Sequence, residues 1–117
     1  MEFALLYYID DSRFEGITGE DERKLQEDCR AEDTALETSG RLVVARALKT
    51  PDTARTVTIR ASKTMHTDGP FAETKEYLGG IVIVRAANIE EAVAIAESSA
   101  LARYAKVEDR PAYDIRA

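Results

Sequence analysis

"GIVIVRA" (residues 80–86) holds no polar side chain before Arg85. Successive side chains of a strand point to opposite faces, so a run of this kind is apolar on both sides. "FALLYYI" (3–9) has the same property, with aromatic and branched residues at strand length. Two strands that need cover on both faces belong in the middle of a sheet. The fold is decided by what lies between and around them.

Between them, "ITGEDERKLQEDCRAEDTALETSG" (17–40) reads as a helix. Thr18 is placed to cap it, acids fill its first turn, and Gly40 ends it. Leu25, Cys29, Glu32 and Leu36 follow helical spacing along a narrow stripe. "RLVVARAL" (41–48) is a second strand, broken by "PDTA". "RTVTIR" (55–60) alternates as a half-exposed strand does, and "ASK" turns it into "TMHT" (64–67), which makes a hairpin. After 80–86, "NIEEAVAIAESSALARY" (88–104) is a helix capped by Asn88, with Glu91 completing a capping box. Ile89, Ala92, Val93, Ala96 and Ala100 form its apolar face. "KVEDRPAYDIRA" (106–117) closes the chain as a strand that Pro111 confines to an edge.

The order β-α-β-(hairpin)-β-α-β within residues 1–117 is that of an α+β, ferredoxin-like split βαβ sandwich with an extra hairpin. Two helices cover only one face of such a sheet. The apolar residues of the other face, drawn from Ala4, Leu6, Tyr8, Val82 and Val84 or their alternates, need a second sheet, so the fold predicts a homodimer.

Composition narrows the function classes. The 117 residues suit one domain, and no run approaches a membrane span. The opening "MEFALLYYIDD" lacks the basic start of a signal peptide, and the single Cys29 permits no internal disulfide, which points to a reducing cytoplasm. The spacing around Cys29 fits a small core hydrophobe. A net charge of −6 disfavours nucleic acid and anionic lipid. The charge is unevenly spread: −8 over residues 1–40, +5 over 41–67 and −3 over 68–117. Such blocks fit solvated faces that pair within the fold or across an oligomer, or else a cleft for a small anion. No metal spacing, phosphate loop or nucleophile elbow is present, so neither a metal nor a cofactor is expected.

"TDGPFAETKEYLGG" (67–80) is the segment least like scaffold. With "LGG" before an apolar strand, "DGPFAETKE" (68–76) resembles the signature of the DGPF subgroup of YCII-related proteins. The likeness extends to "ALLYY" (4–8), "SGRLV" (39–43), "NIEEAV" (88–93) and "VEDRP" (107–111), where relatives have V-E-V-R-P and Asp109 departs. The resemblance implies dimeric α+β barrels built sheet to sheet. It also implies an association with extracytoplasmic-function sigma factors, and for one YCII-type relative a part in dehydrochlorination of aromatic compounds. The histidine–aspartate pair of the YCII enzymes has no matching histidine in the first helix here.

The signature supports two readings. As scaffold, Asp68-Gly69 turns the chain, Pro70 starts a helical turn carrying Glu73, Lys75 and Glu76, Phe71 plugs the core edge, and Gly79-Gly80 give a left-handed exit into the strand. As a site, Asp68 and the lone His66 form an acid–base pair on one strand face, with Glu73, Lys75, Glu76 and Arg110 binding a small anionic or aromatic ligand. The expected function is a homodimer with a small-molecule cleft and cofactor-free chemistry of isomerase or lyase type. The alternative is a non-catalytic ligand-binding or regulatory module.

Overall fold

A computed structural model describes residues 1–116. The main elements are β1 (Glu2–Asp10), α1 (Gly19–Thr38), β2 (Leu42–Ala47), β3 (Arg55–Arg60), β4 (Lys63–Asp68), β5 (Glu76–Arg85), α2 (Ile89–Glu97) and β6 (Ala105–Ala112). The closing strand, expected to run to the last residue, stops at Ala112, and Ala117 lies outside the described residues. Short 3-10 turns at Asp11–Phe14, Pro51–Thr53 and Ala100–Arg103 fill three of the connections.

Four strands form an antiparallel sheet in the order β2-β5-β1-β6, so the two doubly apolar strands are central, as their composition requires. Among the described residues β3 and β4 pair only with each other, in a separate two-stranded sheet. Both helices pack on one face of the larger sheet. Phe3, Leu5, Tyr7 and Val84 are buried there with Ala92 and Ala96 of α2, while Leu36 of α1 packs against the cluster. Register pairs Phe3 with Val84 and Leu5 with Val82. Val82 and Val84 therefore belong to the helix side, and Ile81 and Ile83 join Leu6 and Ala4 on the opposite face. That face remains open: Ala4, Leu6, Tyr8, Val44, Ile81 and Ile83 are half-buried, with no layer of the described residues over them. A single chain is an α+β domain with an open sheet, not a closed barrel.

Local chemistry explains the helix ends. Thr18 Oγ1 accepts from the Asp21 N–H (3.0 Å) and Asp21 Oδ2 accepts from the Thr18 N–H (3.2 Å), a reciprocal capping box. At the other end Gly40 adopts φ 77, and the Arg41 N–H reaches back to Leu36 O at 2.9 Å. Asn88 Oδ1 accepts from the Glu91 N–H at 2.9 Å, but the Glu91 carboxylate takes the Ala87 N–H (3.4 Å), so the expected box is only half made.

The scaffold reading of the signature needs three corrections. Residues 69–75 form bends and no helical turn, because Gly69 at φ 90 directs the chain out of β4 and β5 begins at Glu76. Phe71 is 89% exposed and plugs nothing. Gly79 and Gly80 lie inside β5 with ordinary φ, at a bulge where Tyr7 faces Gly80 and Tyr8 faces Leu78. Glycine is needed there for space: a Cβ on Gly79 would sit 2.3 Å from Ile9 Cγ1.

Candidate functional site

A cleft of about 470 Å³ opens between α1, the end of α2 and the helix side of the sheet. It exists because α1 carries only a narrow apolar stripe and α2 is short, so the helices leave part of β2 and β5 uncovered. Leu5, Leu36, Val82, Ile95 and Leu101 give it an apolar wall. Gly79 and Gly80, having no side chains, leave the floor accessible beside Ala45 and Ala47.

A few polar groups converge on this wall. The Tyr7 hydroxyl donates to Ser99 Oγ at 3.3 Å, and burial pushes its phenol up, opposed by that hydrogen bond. Glu32 Oε1 accepts from the Ala100 N–H at 2.8 Å, which ties α1 to the turn after α2. Burial also raises the Glu32 carboxyl, against the pull of that N–H, and raises Asp33 beside it. Cys29 lines the same cleft, and its thiol is pushed up by burial and then by Glu32 and Asp33. A thiol held protonated is a poor nucleophile, in keeping with the hydrophobe its spacing suggests. Arg41 is engaged by Glu91 at 3.2 Å, and Arg46 also borders the cleft. An apolar wall with a few fixed polar groups is the usual make-up of a small-molecule site.

None of the six residues singled out in the sequence lines this cleft. His66 and Asp68 share one exposed face of β4, and Arg55 Nε meets Asp68 Oδ1 at 3.2 Å. Lys75 Nζ lies 3.6 Å from Asp10 Oδ2, and Glu76 Oε1 accepts from Lys106 Nζ at 2.7 Å, both at one end of the central strands. Ser12 first, and then Lys75, hold the Asp10 carboxyl below its ordinary value. Next to them Tyr77 donates to Asp11 at 2.6 Å, which pushes the Tyr77 phenol up to about 12. Arg110 pairs across from Ala4, well along β6 from Lys106. Glu73 is exposed in the bend. The fold thus gathers Lys75 and Glu76 into one charged cluster, keeps His66 with Asp68 on the hairpin, and places Arg110 apart from both.

Tyr7, Glu32 and Asp33 were not marked as site residues by sequence reasoning. One signal was present: Glu32 occupies an apolar-stripe position between Cys29 and Leu36. A carboxylate on the buried face of an amphipathic helix asks for a partner or a role.

Fold and cleft together define a small α+β domain with a ligand-sized hollow under its helices. The chain matches the YCII-related domain family over residues 1–116 and belongs to it. It is also similar to an uncharacterised protein of Rhizobium meliloti (strain 1021), 32% identical over 93 residues, which is 80% of this chain and 75% of that protein.

Proposed function

We propose that this chain is a YCII-related protein of the DGPF subgroup that binds a small molecule with an apolar or aromatic body in the cleft beneath α1 and α2. The observation that carries the reading is the cleft itself, of about 470 Å³ and apolar-walled, with Tyr7, Glu32 and Asp33 among its lining residues. A carboxyl raised by burial is a candidate for proton transfer, so cofactor-free chemistry of isomerase or lyase type rests on Glu32, with the Tyr7 hydroxyl available to hydrogen-bond the ligand. The acid lining shifts the expected ligand away from a simple anion and toward an aromatic bearing donor groups.

The same reading includes a ferredoxin-like fold that pairs sheet to sheet as a homodimer. Its support is the strand order, with β5 between β1 and β2, and the uncovered apolar face of the larger sheet. No helix of the described residues is long and apolar enough to cross a membrane, and the free, half-buried Cys29 suits a reducing compartment such as the cytoplasm.

The test is a binding screen of hydroxylated and chlorinated aromatics and small carboxylates, followed by chemical shift mapping. Ligands should perturb Tyr7, Leu36, Ile95 and Leu101, and Leu101→Trp should abolish binding by filling the hollow. Shifts confined to Asp68–Glu76 would move the site to the signature loop. If a compound turns over, Glu32→Gln should lower the rate by about 10²–10⁴ with little change in affinity.

A second reading is a non-catalytic module that binds a ligand or a regulatory partner such as a sigma factor. It is favoured by the dispersal of the signature residues: His66, Asp68 and Glu73 are all exposed and lie outside the cleft. Tight binding without turnover of any screened compound is its expected outcome.

A further inference from the structure

The hairpin β3–β4 is the part of the molecule that the fold does not explain. Its strands pair only with each other, and every residue of both except Thr56 is exposed. Its base is fixed by the Gly69 N–H donating to Ala54 O (2.7 Å) and by Thr56 Oγ1 donating to Gly69 O (2.9 Å). Beyond that base, six residues per strand reach about 20 Å at the ordinary strand rise. The radius of gyration, 16.4 Å, exceeds the roughly 13–14 Å of a compact chain of this length.

An isolated two-stranded hairpin is at best marginally stable in water. This one is weakened further at its tip, where Ala61 (φ 48) and Ser62 (φ 64) hold left-handed backbone that favours Asn-Gly. One face nevertheless presents Val57, 57% exposed, and Ile59, 68% exposed, flanked by Thr64 and His66 across the pair. A bare apolar pair on a free strand edge is a liability unless something covers it.

Charge identifies the cover. The arm, residues 55–68, carries Arg55, Arg60 and Lys63 against Asp68 alone, whereas α1 holds eight acids against three bases, a net of −5. Two copies of a chain with net charge −6 repel each other over most of their surfaces. The basic arm is the segment that can meet another copy with attraction.

We propose that β3–β4 is an exchanged arm: its Val57–Ile59 face packs on a second copy of this chain, and its basic tip, where Arg60 pairs with Lys63 on the other face, reaches that copy's acidic surface. The inference rests on the sheet-to-sheet homodimer of the preceding section and adds a second contact to it, from the arm. Each copy then gains the cover its own arm lacks.

Sedimentation equilibrium across a concentration series tests it, using the full chain, Val57→Asp/Ile59→Asp, and Val57→Thr/Ile59→Thr, which keeps strand propensity. The dimer Kd should rise about tenfold or more in both variants, with the far-UV circular dichroism of the core retained. An unchanged Kd in both overturns the arm while the sheet-paired dimer stands. A wild-type chain that is monomeric throughout overturns the dimer and the arm together. In a mixed population of heavy- and light-isotope chains, carbodiimide coupling should join Lys63 of one copy to a carboxylate of the other. Coupling of Lys63 solely within its own chain would count against the exchange.

Discussion

Asp109 carries a buried carboxylate oxygen, Oδ1, that meets no hydrogen-bond donor among the described residues. Its register partner is Leu5, so it faces the helix side, and burial pushes its carboxyl above the ordinary value. Between the ordinary carboxylate value and the raised one, the folded state is the more protonated at Asp109. Its contribution to stability is fully present below the ordinary carboxylate range and is lost as pH rises through the raised value. Glu32 and Asp33 act in the same direction. Asp109→Val should stabilise the protein at neutral pH by about 1–3 kcal/mol, since it removes an unsatisfied buried acceptor. Asp109→Asn should flatten the decline of the melting temperature with pH. A melting temperature lowered by Asp109→Val would mean that Asp109 has a partner in solution. Asp109 was visible in the sequence only as a departure from V-E-V-R-P, because a missing partner is a property of packing. The need for Gly79 was equally hidden, since Ile9 approaches it from another strand. Gly79→Ala should cost about 1–3 kcal/mol in denaturant unfolding, and Ile9→Ala should relieve much of that cost in the double variant.

At the scale of elements, periodicity and end signals were the legible part. The two unbroken apolar runs became the central strands, Thr18 and Gly40 bounded α1 as read, and β3 spans Arg55–Arg60 as its alternation indicated. The signature segment was misread because Pro, Phe and alternating charges permit a helical turn as well as an extended bend, and local chemistry does not choose between them. Phe71 decides the matter physically. With its ring in solvent, Phe71→Ala should change stability by no more than about 0.5 kcal/mol, where a core plug would lose several. A loss of several kcal/mol would show the ring covered in the native assembly. The hairpin turn offers the opposite case. Ala61→Asn with Ser62→Gly supplies the residues that two positive φ values favour, so the arm should gain about 1 kcal/mol of local stability. The readout is slower amide exchange from Val57 to Met65. Unchanged exchange rates there would mean that the turn does not limit the arm.

At the scale of the molecule, the cleft and the open face have one origin: two helices, one short, laid on one side of a four-stranded sheet. Sequence showed that the second face would be apolar but assigned some of its residues wrongly, because the side a strand residue faces depends on register and on the bulge in β5. The cleft was not legible at all, since a hollow is fixed by what the helices fail to reach. The corrected register makes the test of pairing sharp. Leu6 and Ile81 sit opposite each other on the open face, so a lysine at either position leaves the helix-side core untouched. If two sheets pack there, Leu6→Lys or Ile81→Lys places a cation in a desolvated interface, at a cost of several kcal/mol. Sedimentation should then give a folded monomer at micromolar concentration where the wild type is a dimer, with aromatic ligands still reaching the cleft on the far side. Val82→Lys, on the helix side, should unfold the chain instead. A Leu6→Lys protein as dimeric as the wild type would show that the open face is not the interface, and its apolar residues would need another cover.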